Sequence, residues 1–186
     1  MGTETVSEKI LTGNLLFTGC CVVYLIWWCV TFRPGASAPM SIKSLLFFAT
    51  FFLGAAGMTM IARGCLASEG VHFGGIIAAG IAVYIILLFG TQALFHRQVT
   101  TELLLIVFWT VMEVCAVSVL SAEGIFLGRS FAVICMVILV AALVGIICYL
   151  KYYELPPMPA FYDGMVPLIL FALVMVGISV CQVRVG

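Results

Sequence analysis

The chain is 186 residues long, 65% apolar and only 9% charged, with eight Lys and Arg balancing eight Asp and Glu. Soluble domains carry roughly 25% charged residues and 45–50% apolar ones, so this composition excludes a soluble globular domain and a disordered tail. A net charge of zero also leaves no field to draw DNA or RNA, and nucleic acid is not an expected partner.

Between its charged residues and histidines the chain holds six long apolar stretches, at 10–32, 44–62, 73–95, 103–122, 130–150 and 164–183. A helix rising about 1.5 Å per residue needs about 20 residues to cross about 30 Å of hydrocarbon, and each stretch meets that length. Transmembrane strands would instead show alternating segments of about 10 residues. The expectation is an all-α integral membrane protein: a bundle of six transmembrane helices forming a single polytopic domain over residues 1–186.

In chain order, the first span ends at Phe32-Arg33 and is followed by Ala36-Ser37-Ala38, which has the form of a signal-peptide cleavage site. The apolar run is too long for a signal peptide, whose core is 7–15 residues, and Glu4 and Glu8 dilute the basic flank, so the first helix is expected to be retained. Pro34 and Pro39 separate it from the second span, for which Ser41 is the expected N-cap. Gly54-Ala55-Ala56-Gly57 thins the middle of that second helix, and Gly74, Ala78 and Ala82, with Gly75 and Ala79, line one stripe of the third. Small residues at this spacing let helices approach closely, within a chain or between subunits.

The fourth span starts at Thr100 or Thr101 and the sixth at Asp163, by the same capping logic. The run Leu155-Pro156-Pro157-Met158-Pro159 interrupts the chain before the sixth, whose first turn would hold Pro167. The spans read as three helical hairpins beginning near Gly13, Gly74 and Gly128, a period compatible with an internal repeat.

Six spans place both termini on one side, here the termini face. That face carries Lys9, Arg63, Arg129 and Arg184 against Arg33, Lys43, Arg97 and Lys151 on the far face. Four against four gives the positive-inside rule nothing to act on; the default is both termini inside, with antiparallel dual insertion as the alternative. Trp27, Trp28, Tyr149, Tyr152, Tyr153 and Tyr162 gather toward the far face, where such rings anchor a protein at headgroup level.

Glu113 is the residue with the most to say about function. It lies midway along its span, where a charged acid costs on the order of 2.5–3.5 kcal/mol even on permissive scales, so it must face the bundle interior or a wet cavity. Trp109 and Thr110 share its helix face, and Glu102 lies on nearly the same stripe three turns toward the far face. Depth matching offers Tyr84, at the middle of the third span, and Tyr24, in the first, as hydroxyl partners, with Gln92 farther toward the far face. The expected cluster is thus Glu113, Tyr84, Tyr24, Thr110, Trp109, Gln92 and Glu102.

Other chemistry is poorly supplied. His72 and His96 are about 36 Å apart on one helix and cannot share a haem; neither has a second His one turn away, and the one carboxylate at that spacing is Glu69, before His72. Seven of the eight cysteines lie within spans, with only Cys65 near a loop, and no Cys-x-x-Cys occurs, so they read as small hydrophobes. Zinc-protease, nucleophile-elbow and phosphate-loop motifs are absent. No cofactor or metal is expected, and an enzyme ranks below the other readings. The leading expectation is a small channel or transporter for protons, cations or small polar solutes working through the midplane carboxylate. The alternative is a non-catalytic subunit or scaffold of a larger complex; the partners are the lipid bilayer and either further copies of the chain or other membrane proteins.

Overall fold

Each apolar stretch folds as one helix: α1 (Val6–Phe32), α2 (Met40–Leu66), α3 (Gly74–Phe95), α4 (Thr101–Ala122), α5 (Arg129–Tyr152) and α6 (Pro157–Val185). The structure, a computed structural model, describes residues 5–33, 35, 37–68, 71–96 and 101–185. Among these there is no strand, and all six helices are long and apolar enough to cross a membrane. The chain is an all-α, six-helix, multi-pass membrane protein. Of the expectations above, those on Glu4, Pro34, Ala36, Arg97 and Thr100 lie outside the described residues.

The helix starts correct two capping expectations and the placement of Pro167. Ser41 is the second residue of α2, whose N-cap is Pro39, and no side chain caps that end. Asp163 is not a cap: α6 begins six residues earlier, at Pro157. Prolines at 157 and 159 open the helix without loss, because the first-turn N–H groups have no helical acceptor in any case. Pro167 consequently sits inside α6 rather than in its first turn, and it leaves the carbonyl of Asp163 without its helical donor. α1 begins with a capping box in which Thr5 Oγ1 accepts from the Glu8 N–H at 3.2 Å and Glu8 accepts from the Thr5 N–H at 2.8 Å.

The hairpins α1/α2, α3/α4 and α5/α6 are all packed pairs, as is α4/α5. The α1/α2 pair is the tightest. Val6, Ile10, Gly13, Phe17 and Cys20 of α1 meet Thr50, Gly54, Gly57, Ile61 and Gly64 of α2 along a seam of alternating three- and four-residue steps. A Cβ on Gly13 would sit 2.9 Å from the Gly57 carbonyl and one on Gly57 3.0 Å from that of Gly13, so only glycine admits this backbone approach. α6 runs antiparallel beside α1, held at one end by Gln182 Nε2 donating to the Ser7 carbonyl at 2.6 Å and to its hydroxyl at 2.8 Å. At the other end Trp28 Nε1 donates to the Phe161 carbonyl at 3.1 Å. The first bond pins the two chain ends to the same face.

The core lies along α4, which buries eleven of its 22 residues. It packs against α2, α3 and α5, stacks Trp109 on Phe171 of α6 with ring centroids 4.0 Å apart, and brings Glu113 within electrostatic reach of Cys21 on α1. Its C-terminus closes in a Schellman motif: Gly124, at φ +83°, donates to Ser121 and Ile125 donates to Leu120. The following Phe126, 1% exposed, caps the core at the termini face. At the far face Tyr24, Trp27, Trp28, Phe32, Phe47, Tyr152 and Tyr153 form a run of ring contacts across α1, α2 and α5.

Candidate functional site

Glu113 is 0% exposed, so no lipid touches it. Its face of α4 is packed by Trp109, Met112, Ala116 and Val117, all buried, and the carboxyl lies within electrostatic reach of the thiols of Cys21 on α1 and Cys65 on α2. Both carboxyl oxygens are without a hydrogen-bond partner among the described residues. Native proteins satisfy the great majority of buried polar atoms, so an orphaned acid at the centre of a bundle is an exception that asks for a cause.

The residues grouped with it from the sequence are distributed differently. Thr110 spends its hydroxyl on the Ile106 carbonyl at 2.7 Å, one turn back along the same helix. Tyr24 belongs to the aromatic run at the far face, within electrostatic reach of Glu102 and Tyr152 rather than of Glu113. Tyr84 is half-buried on α3 and makes no hydrogen bond among the described residues; Gln92 is exposed, and its carbonyl accepts the His96 N–H at the end of α3. Glu102 is exposed at the start of α4, and Ile106 and Trp109, both buried in apolar contacts, separate it from Glu113. Of the seven, only Trp109 and Glu113 occupy the core together.

Three polar residues that the sequence did not single out as site members share that interior. Asn14 is 0% exposed with both amide atoms unpartnered, Ser179 is 4% exposed with an unpartnered hydroxyl, and Gln182 is 3% exposed with its carbonyl oxygen unpartnered. A lone uncharged amide or hydroxyl does not interrupt an apolar stretch, so a search by charge passes over them. The available signal was that Asn14 is the sole asparagine of the chain and lies inside a span.

The packing residues divide in the same way. Gly54 and Gly57 face α1, with the Cys20 sulfur 3.2 Å from where a Gly54 Cβ would be. Gly74, Ala78 and Ala82 are exposed, and Gly74 has no neighbour within 4 Å of a built Cβ; the contact glycine of α3 is Gly80, against Val111 of α4. His72 and His96 are exposed at opposite ends of α3, and all eight cysteines are free thiols. Among the described residues no three His, Cys, Asp or Glu side chains gather to hold a metal ion. Comparison with protein-family models, curated proteins and solved structures finds no match to this chain.

Proposed function

We propose that this protein is a small channel or transporter that works through Glu113, and that among protons, cations and small polar solutes its cargo is the proton. The observation that carries this reading is a fully buried carboxyl, midway along the most enclosed helix, with neither oxygen partnered among the described residues. Intramembrane acids are expensive, and they mark ion and proton pathways by default. A structural acid used as interhelical glue would be hydrogen-bonded across to a neighbouring helix. Glu113 has no such bond among the described residues. Its surroundings include Ala116 and Val117, both 0% exposed, and a proton is the smallest of these cargoes. Taking up a proton removes a charge from an apolar site, and releasing one requires water to reach the carboxyl.

Purified protein in liposomes, with a pH-sensitive dye inside, tests the reading. Glu113→Gln keeps the side chain's volume and removes its acid, so proton flux should fall to the level of empty liposomes, while Glu113→Asp should retain a measurable fraction. Undiminished flux in Glu113→Gln overturns the proposal.

A second reading, a non-catalytic subunit or scaffold, is favoured by α3. That helix packs chiefly on α4 and leaves its Gly74, Ala78 and Ala82 stripe open. Copurification from native membranes with a stoichiometric partner would support it; a monodisperse homo-oligomer would count against it.

A further inference from the structure

Besides those of Glu113, the unpartnered polar atoms of buried residues belong to Asn14, Ser179 and Gln182 on α1 and α6 and to Trp109, whose Nε1 lies one turn toward the far face; the half-buried Thr31 and Asp163 carry others near the far face. The two α1/α6 contacts, Ser7 with Gln182 and Trp28 with Phe161, set one antiparallel register for the whole pair. Asn14 is seven residues in from Ser7, and Met175 is seven in from Gln182, so Asn14 lies level with Met175, about 10 Å inside the termini face. Ser179 lies one turn inside Gln182 on α6. Ser7, Asn14, Cys21 and Trp28 recur every seven residues and so hold one stripe of α1, of which Cys21 is within electrostatic reach of Glu113. Gln182, Ser179 and Asn14 thus descend in steps from the termini face toward the acid, each more than nine-tenths buried and each with a polar atom that no described residue satisfies.

The opposite direction is built otherwise. One turn from Glu113 toward the far face, Trp109 stacks on Phe171, and Phe171 and Ile106 close over Gly145 of α5 at 3.1 and 3.5 Å from a built Cβ. Beyond that layer α4 offers Leu103, 0% exposed, before Glu102 reaches solvent level. At the termini face Phe126, in the α4–α5 loop, is buried against the core.

We propose that water enters along the α1/α6 seam and connects Glu113 to the termini face in this conformation, with Gln182, Ser179 and Asn14 as the groups that hold it. Buried water settles where two to four polar partners meet it, and these side chains supply such partners at successive depths. A proton leaving a Glu113 oxygen passes to the nearest water while that water's own proton moves on, so one proton emerges at the termini face and none is consumed. The Trp109–Phe171 stack blocks the same exchange toward the far face. This rests on Glu113 being the exchanging group but names its access route and the side it faces.

The test measures how fast the carboxyl exchanges its proton, without reference to transport. Infrared difference spectroscopy of the reconstituted protein assigns the Glu113 carboxyl band by its loss in Glu113→Gln, and transfer to D2O then follows its shift with time. Asn14→Leu is expected to slow that shift by about tenfold, the loss of one hydrogen-bonding station, and Asn14→Ser to restore most of it. Ser179→Ala should slow it by a smaller factor at little packing cost, so a poorly folded Asn14→Leu leaves the question decidable. Glu102→Gln, on the far-face route, should change nothing. Exchange that ignores both Asn14→Leu and Ser179→Ala, or that slows in Glu102→Gln, overturns the route. Neither outcome depends on flux, so failure of the route and failure of Glu113 as the transport group are read separately.

Discussion

Helices α3 and α4 are each 22 residues long, follow one another in the chain and pack together, yet they occupy opposite situations. α4 buries eleven residues, among them an acid; α3, which has no charged residue, buries only Thr91 among its described side chains. In water the more uniformly apolar helix would go inside. In a bilayer the lipid is as apolar as leucine, so apolarity does not sort helices between interior and edge. Polarity does, in the reverse sense: the helix with a group that hydrocarbon cannot tolerate is the one the others must surround.

That contrast can be broken by substitution. The largest effect is expected for Trp109→Ala, which removes a 3%-exposed indole stacked on Phe171 and should cost about 3–5 kcal/mol, read as a fall in Tm in detergent. Ile86→Ala on α3, 69% exposed toward lipid, should stay within about 0.5 kcal/mol of the parent. Equal losses from the two would erase the distinction between hub and edge.

Overpacking gives a second, smaller contrast. Ala116→Leu puts three extra carbons into a site that is 0% exposed and should cost about 1–3 kcal/mol. Ala78→Leu adds the same atoms to an open stripe and should be silent in the isolated protein. If Ala78→Leu instead lowers stability in native membranes but not after purification, a partner covers that stripe, which would favour the subunit reading.

The smallest effect sharpens where α3 is attached. Gly80→Ala drives a methyl into Val111, a β-branched side chain with little rotamer freedom; the overpacking cost of about 1–3 kcal/mol is offset in part by the helix-propensity gain of about 1 kcal/mol from Gly to Ala, leaving a net loss of about 1 kcal/mol. Val111→Ala in the same chain should recover it, whereas Gly74→Ala, with open space around it, needs no compensation. Thermal unfolding of the single and double variants reads the coupling directly.

How far the sequence could be read depended on whether a feature was local or relational. The six helices were legible because hydrocarbon thickness imposes a length and charge marks the ends. Starts were less so: α6 begins at Pro157 because prolines suit a first turn, although the same run reads equally well as a break. The capping box at Thr5 and Glu8 was present in the letters as Thr-x-x-Glu, but the span boundary drawn at charged residues cut it off. Glu113 declared itself by charge, and burial on α4 follows from the same cost that made it conspicuous. Its neighbours did not. Tyr84 and Tyr24 match it in depth, but depth is one coordinate of three, and rotation about each helix axis sends one to the α3 edge and the other to the aromatic run.

The amino-acid sequence by itself therefore settles the solvent, the number of crossings and the one intolerable charge, since each is a property of a residue or stretch against hydrocarbon. Which helix is central, that glycines 13 and 57 meet, and that Asn14 and Ser179 line up behind Gln182 belong to the tertiary structure alone. Those facts depend on how helices are rotated and paired, and in a medium where every outward face is equally content, only packing and buried polar atoms choose among rotations.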